Sequence, residues 1–469
     1  MKILIPSIYD DNFGDMLIRH CFESLLRAAL DELGLSAQIE IMPLKEIDEQ
    51  MVRRAEYIFF PGGGTFGLCY TGFFDYVERI VNIAQETGIP VVFSSVGFDN
   101  QDATPEGEER LRALLHKDCV KAISVRDDAQ LFRPYAEGSG LEVKQVCDPA
   151  VWARSVCDLP KKHEQGKIVG INVVRGGLFG DNKHGWKFKD ELNYLDELRK
   201  LLDEAGYDYR FYTNGSILDD NALHYFARQY DIPAQKTMYI NSARELVNAI
   251  EGFDFVCAIR MHSSIIAYAL GVPAINAVWN DKIYKFYDNI GRHDSAIEIE
   301  KFTAKEAFEA AKRGIEEGRR QPDEAFLMSA YEFIFDAIKK MTGAKGERHR
   351  SFEEIKKCME RENIPKRDEH IDHMTKLKRA EKLYLDRFTD VKARDREIKK
   401  LTRKAEKLKT SNVELKKQLK SKKNALSRKQ RELSAIKRHP LVRLDMKLRR
   451  VFRKIKRRLK RIIKRGKKS

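Results

Sequence analysis

The stretch Phe253-Asp-Phe-Val-Cys-Ala-Ile-Arg-Met-His-Ser-Ser-Ile-Ile-Ala-Tyr-Ala-Leu-Gly-Val-Pro-Ala-Ile275 decides the fold of this chain. Its first half reads as a buried strand that delivers Arg260 and His262 to its carboxyl end. A short apolar helix over Ser263–Leu270 and a Gly-Val-Pro turn follow, and the chain enters a second strand at Ala274. Strand, helix and strand in that order form a parallel unit, and open parallel sheets bind ligands beyond the carboxyl ends of their strands. Helix N-termini at that edge favour anions. An arginine and a histidine there can hold a negative group and move a proton.

The same alternation runs outward in both directions. Strands are predicted at Lys2–Pro6, Ile39–Met42, Tyr57–Phe60, Val91–Ser95 and Ala122–Val125, with helices at Met16–Leu33, Phe73–Thr87 and Glu106–His116. After Lys167 come strands Ile168–Val174, Asp208–Tyr212, Phe255–Ile259 and Ala274–Ala277, with helices Asp190–Ala205, Asn221–Tyr230 and Ser242–Ile250 between them. The strands are apolar throughout rather than alternating, which indicates sheets covered on both faces. The expected class is α/β: two doubly wound Rossmann-like halves facing a cleft, residues 1–160 and 161–345, as in two-Rossmann (GT-B) glycosyltransferases. Glu324–Met341 is expected to be a closing helix that packs back on the first half.

Charge divides the chain. Of 469 residues 34% are charged, mean hydropathy is −0.51, and the net charge is +16. Residues 436–469 hold 17 basic residues against one acidic, Asp445, and residues 351–435 hold 27 against 15, which leaves residues 1–350 at −12. An acidic body therefore carries a basic tail, and the tail calls for an anionic partner. The cysteines at 21, 69, 119, 147, 157, 257 and 358 form no CxxC pair, which fits reduced thiols and not a disulfide frame or a zinc site. No signal-peptide core opens the chain and no apolar run spans a bilayer, so a cytoplasmic protein at the inner face of the membrane is expected.

Residues 346–438 read as a helical linker and coiled coil. A heptad places Val391, Ile398, Ala405, Asn412, Leu419, Leu426 and Leu433 at a, with Leu401, Leu408, Leu415 and Ile436 at d. Arg394, Lys422 and Lys429 weaken the d seam, and an Asn at a is a device for fixing dimer register. The rival is a lone solvated helix; a homodimer through this segment is expected. Residues 439–469 repeat Leu441, Leu444, Leu448, Val451, Phe452, Ile455, Leu459, Ile462 and Ile463 at three- and four-residue steps among lysines and arginines. That pattern suits an anionic membrane surface. Nucleic acid is the competitor, and it leaves the aliphatic stripe without a burial partner.

Four loops carry candidate chemistry. Asp10-Asp-Asn-Phe-Gly-Asp15 precedes a helix and, taken alone, reads as N-capping rather than as a site. Pro61-Gly-Gly-Gly-Thr-Phe66 allows positive φ and close approach to backbone amides, but it is neither a phosphate-binding P-loop nor a GxGxxG fingerprint. Ser124-Val-Arg-Asp-Asp128 offers a carboxylate or phosphate fork, or a structural ion pair. Arg260-Met-His262 is the fourth. Asp219-Asp220 is the nearest acidic candidate for a metal and reads as a turn or cap, so neither a metal nor a cofactor is expected.

Together these loops resemble the polysaccharide pyruvyltransferase family, through Asn12-Phe-Gly-Asp15, the Pro-Gly-Gly-Gly stretch and Ser124-Val-Arg-Asp127. Asp148-Pro-Ala150, Arg260-Met-His262, Ala269-Leu-Gly-Val-Pro273 and Lys282 before Phe286 extend the resemblance over roughly residues 1–300. It implies transfer of a pyruvyl group from phosphoenolpyruvate to hydroxyls of a sugar or lipid-linked saccharide, as a ketal. Arg126 and Arg260 would grip the donor and His262 would be the general acid/base. Asn12, Asp15, Gly62, Gly63, Gly64, Thr65, Asp127, Asp148, Ser263 and Lys282 would line the substrates. The rival readings are a nucleotide-sugar glycosyltransferase, because fold does not fix function, and a non-catalytic membrane-tethered dimeric scaffold.

Overall fold

Apolar strands flanked by amphipathic helices can satisfy both sheet faces only in a layered α/β arrangement, and the computed structural model has that form twice. It describes residues 1–8, 12–67, 72–99, 103–157, 159, 166–362, 375, 376, 378, 404, 407, 409, 411, 412, 414–435, 438 and 440–465. The first sheet contains β1 (Lys2–Ser7), β2 (Gln38–Pro43), β3 (Tyr57–Phe60), β4 (Gly63–Gly67), β5 (Val91–Asp99), β6 (Val120–Val125) and β7 (Val143–Gln145). Their order is β2-β1-β3-β5-β6-β7, with β4 paired to β5, and all pairings are parallel. The second sheet contains β8 (Ile168–Asn172), β9 (Asp208–Tyr212), β10 (Thr237–Met238), β11 (Phe255–Ala258), β12 (Ala274–Val278) and β13 (Ala296–Glu298). Its order is β10-β9-β8-β11-β12-β13, again parallel.

Each sheet reverses direction once, between β1 and β3 in the first and between β8 and β11 in the second. Such switch points open a crevice at the carboxyl ends, because the flanking connections leave to opposite faces. Asn12–Asp15 and Gly62–Gly64 follow the first pair of strands, and Arg260–His262 follows β11. Gly63–Gly67, expected as loop, is a strand. Ser95 adopts φ 53°, and the pairing of β5 with both neighbours shifts register around it. This kink gives the glycine stretch a place to pair beyond the end of β3.

Helix Phe13–Glu32 is buried along nearly its whole length. An aliphatic or aromatic residue at nearly every turn of all its faces lets it serve both halves at once. One continuous core joins it to the second half and to helix Glu324–Thr342. That last helix returns to the first half as expected: Tyr331 donates to Glu32 and Lys340 to the Lys121 carbonyl. Residues beyond it also dock here. Arg350 pairs with Asp31 at 2.6 Å, the amides of His349 and Arg350 donate to Glu32, and Phe352 packs on Trp152 with centroids 5.0 Å apart.

The chain divides into two units, 1–380 and 381–469. In the second, residues 414–435 and Pro440–Arg465 are helical. Of the expected heptad, Leu415, Leu419, Leu426 and Leu433 are each more than half exposed. Val391, Ile398, Leu401, Ala405, Leu408 and Ile436 lie outside the described residues, as do Asp10, Asp11 and Cys69. On Pro440–Arg465, Leu444, Leu448, Val451, Phe452 and Ile455 are exposed, Phe452 by 70%. No described helix is long and apolar enough to cross a membrane.

Candidate active site

The end of β11 is locked before any functional group is placed. Asn172, the last residue of β8, accepts from the amides of Ile259 and Arg260 at 3.3 and 2.9 Å. Its amide group donates to Asn214, and Asn276 donates to Ser264. These hydrogen bonds between buried groups fix the turn. Arg260 then N-caps the helix Met261–Leu270, which starts two residues earlier than expected, so His262 stands in its first turn and not ahead of it. Ser263 is fully buried and donates to the Asn214 side chain at 2.8 Å.

Asp219 grips Arg260 with two hydrogen bonds, 2.9 and 2.6 Å, and is itself sealed from solvent. Asp219-Asp220, expected as a turn or cap, lies in the first turn of the helix Ile217–Gln229, whose N-cap is Ser216. Both carboxylates point inward, Asp219 to Arg260 and Asp220 to Thr213 at 2.6 Å and to Lys376 at 2.9 Å. Their DD spelling looks like a surface turn; only the tertiary partners make them internal.

From the first half, Arg126 at the end of β6 is buried and pairs with Asp148, with Asp127 3.8 Å away. Asp148 also caps the turn Pro149–Trp152 through the Ala150 amide, and Asp127 accepts from the Phe98 amide at 2.8 Å. Gly97 leaves room for the guanidinium: a Cβ there would lie 3.0 Å from Nη2. The Nε of Arg126 has no hydrogen-bond partner. Asn12 caps the helix Phe13–Glu32 and donates to Asp15 at 2.7 Å, so the capping reading of this loop holds for Asn12. Gly62 and Gly63 adopt φ of 120° and 82°, and Thr65 is buried with its hydroxyl turned back on their carbonyls. Gly64 is exposed and has free space around it.

The halves meet on His262. A Cβ on Gly14 would sit 2.4 Å from the imidazole, so no larger residue fits against the ring. Phe13 donates its amide to the Asn214 carbonyl, Asn280 donates to Asp99, and Asn289 donates to the carbonyls of Arg126 and Asp127. His262 is 7% exposed, its Nε2 lies 3.9 Å from Asp148, and that nitrogen has no hydrogen-bond partner. Lys282 approaches from helix Asp281–Asn289, its ammonium 4.9 Å from the Trp279 ring centroid.

Electrostatics follow from this burial. Desolvation lowers His262 to about 4; Asp15 opposes it, while Arg126, Lys282 and Arg260 reinforce it. Desolvation, then Arg126, also lowers Lys282. Burial disfavours charge on Arg126 and Arg260, but Asp148 and Asp219 outweigh it and both stay firmly protonated. Asp15 acts on all four of these groups. The result is a neutral histidine beside three cationic side chains. Such a group resists a proton until an anion arrives.

The model of the family described as polysaccharide pyruvyl transferase matches residues 12–282, more than half of the sequence. The chain belongs to that family. The match begins at Asn12 and ends at Lys282, both residues of the cluster just described. No curated protein matches the chain. Among solved structures, a putative UDP-N-acetylglucosamine 2-epimerase from Listeria monocytogenes is similar at TM-score 0.51 and 10% identity, over 75% of this chain and 99% of that one. UDP-GlcNAc 2-epimerase from Methanocaldococcus jannaschii gives TM-score 0.45 and 12% identity, over 71% and 98%. The first of these likenesses supports the two-half α/β fold.

Proposed function

We propose that the chain transfers the pyruvyl group of phosphoenolpyruvate to two hydroxyls of a saccharide, releasing phosphate and leaving a ketal. The observation that carries this reading is an unpartnered imidazole nitrogen held among Arg126, Arg260 and Lys282 where the halves meet. Phosphoenolpyruvate carries a carboxylate and a phosphate on one carbon, and this group of cations matches that pair of anions. The methylene carbon takes a proton and becomes a methyl group. One sugar hydroxyl adds to the neighbouring carbon, the second displaces phosphate, and their two protons balance the methyl and the released phosphate. His262, made basic by the bound anion, donates to the methylene and receives from a hydroxyl. No step requires a metal, and turnover is expected to survive EDTA.

Titration of phosphoenolpyruvate against a panel of nucleotide sugars, with saccharide products read by mass spectrometry, tests the donor. A mass gain of one pyruvyl ketal with phosphate release is expected. Turnover with a nucleotide sugar alone would make the chain a glycosyltransferase, and no turnover with any donor would favour a scaffold.

The tail adds a location to this reading. The exposed Leu444, Leu448, Val451, Phe452 and Ile455 lie among cations on one helix, a composition that fits an anionic leaflet. The Asn412 heptads supply a homodimer, and two such helices hold far more tightly than one. Confinement at the cytoplasmic face would bring the enzyme to a lipid-linked acceptor. Flotation with vesicles of anionic lipid should lift the full chain and not a 1–436 truncation, and should weaken with salt. Equal flotation of both proteins, or tight DNA binding without lipid dependence, would overturn it.

A further inference from the structure

Lys376 lies 94 positions beyond the last residue matched by the family, yet its side chain is wholly buried in the catalytic body. Its ammonium donates to Asp220 at 2.9 Å and to the Ile240 carbonyl, both in the second half. It also stands 5.4 Å from the ring centroid of Phe13, in the first half. Asp220 lies close in sequence to two site anchors. Asn214 holds the Phe13 amide and Ser263, and Asp219 aims Arg260. The opposite end of helix Phe13–Glu32 is held by His349 and Arg350 of the same extension. A helix of that length spans about 30 Å. Both ends of the element that brings Asn12–Asp15 to His262 are thus tied to residues outside the matched family region.

From this geometry we propose that Lys376 is a positioning residue of the active site, which ties the Phe13 turn to the Thr213–Asp220 segment so that Gly14 meets His262 and Arg260 stays aimed. Its kinetic consequences rest on the pyruvyl-transfer reading; its structural ones do not. A lysine suits the place because a compact ammonium can serve a carboxylate, a carbonyl and a ring face together. Without it, Asp220 would be a buried carboxylate lacking its cation, which burial already disfavours in the charged form. Misplacement of catalytic groups by about 1 Å can cost roughly a hundredfold in rate.

The test is Lys376→Met in the full chain, with Lys376→Met/Asp220→Asn as its charge-balanced partner. Amide exchange is expected to rise in peptides covering Phe13–Met16 and Thr213–Asp220, far from position 376 in sequence. The kcat/KM for phosphoenolpyruvate is expected to fall about tenfold or more and the melting temperature to drop with the unpaired Asp220 carboxylate; the double variant should regain the melting temperature but not the exchange protection or the kinetics, because the tie is still missing. Unchanged exchange at both segments, or wild-type kinetics in a folded Lys376→Met, would overturn the assignment. If the single variant does not fold, the double variant takes its place: persistent loss of exchange protection and of kcat/KM there supports the tie, and wild-type exchange and kinetics there overturn it. Increased exchange in a protein that never turns over phosphoenolpyruvate would leave the positioning role standing and remove the donor.

Discussion

The two switch points solve one geometric problem with opposite chemistry. At the first, between β1 and β3, the chain supplies backbone and space: Gly62 and Gly63 at positive φ, Gly14 without a side chain, and the carboxylate of Asp15. At the second, between β8 and β11, it supplies side chains: Arg260 held by Asp219, and His262 in a helix's first turn. Of the three cations at the site, the two arginines are held by carboxylates of their own half, Arg126 by Asp148 and Arg260 by Asp219. Two unpartnered side-chain nitrogens, His262 Nε2 and Arg126 Nε, lie where the halves come together. Each half builds its own frame, and the proposed reaction falls at the junction.

The sharpest way to break this comparison is to remove the reactive group. His262→Ala should cost roughly 10²–10⁴ in kcat while the protein melts as the wild type does. Near-normal turnover of a folded variant would take the histidine out of the mechanism and leave the junction without chemistry.

Next in size is the space opposite it. Gly14→Ala places a methyl 2.4 Å from the imidazole and must displace the ring or part the halves. A loss of about tenfold to a hundredfold is expected, whereas Gly64→Ala, which meets nothing within 4 Å, should be close to neutral. Equal losses at both positions would mean that the exposed glycine also lines a substrate.

Smaller effects should separate the two arginines from the acceptor. Arg260→Lys and Arg126→Lys keep charge but lose the fork, so the KM for phosphoenolpyruvate should rise about tenfold and exceed any change in the acceptor KM. A rise confined to the acceptor would move these cations to the sugar.

The smallest effect is on stability against pH. His262 is held at about 4 in the folded protein against an ordinary 6.5, so the unfolded chain binds the proton more readily. Its stabilisation is complete above about 6.5 and is lost as the pH falls toward 4. The melting temperature should therefore drop on acidification more steeply in the wild type than in His262→Asn. His20, also buried and lowered to about 3, contributes equally to both and cancels in the difference. Parallel melting curves would show that His262 is not held neutral.

Much of this was legible in the residues. Apolar runs of strand length separated by amphipathic helices required covered parallel sheets, and Arg260 and His262 at the end of such a run marked the candidate site. The glycine stretch misled, because three glycines look like a loop when only the Ser95 kink gives them a strand to pair with. Asp219-Asp220 misled for a related reason, since two adjacent carboxylates look solvated until Arg260 and Lys376 are found against them. Lys376 carried no signal at all: one lysine among many in a basic stretch.

Local sequence alone thus determined most of the elements, the covered sheets and the strand ends where the candidate site lies. Periodicity and turn chemistry act over a few residues and need no partner. The strand order that puts β11 beside β8, the burial that keeps His262 neutral, and the return of Lys376 to Asp220 belong to the tertiary structure. Each depends on groups far apart in the chain, and desolvation and ion pairing exist only once packing has brought them together.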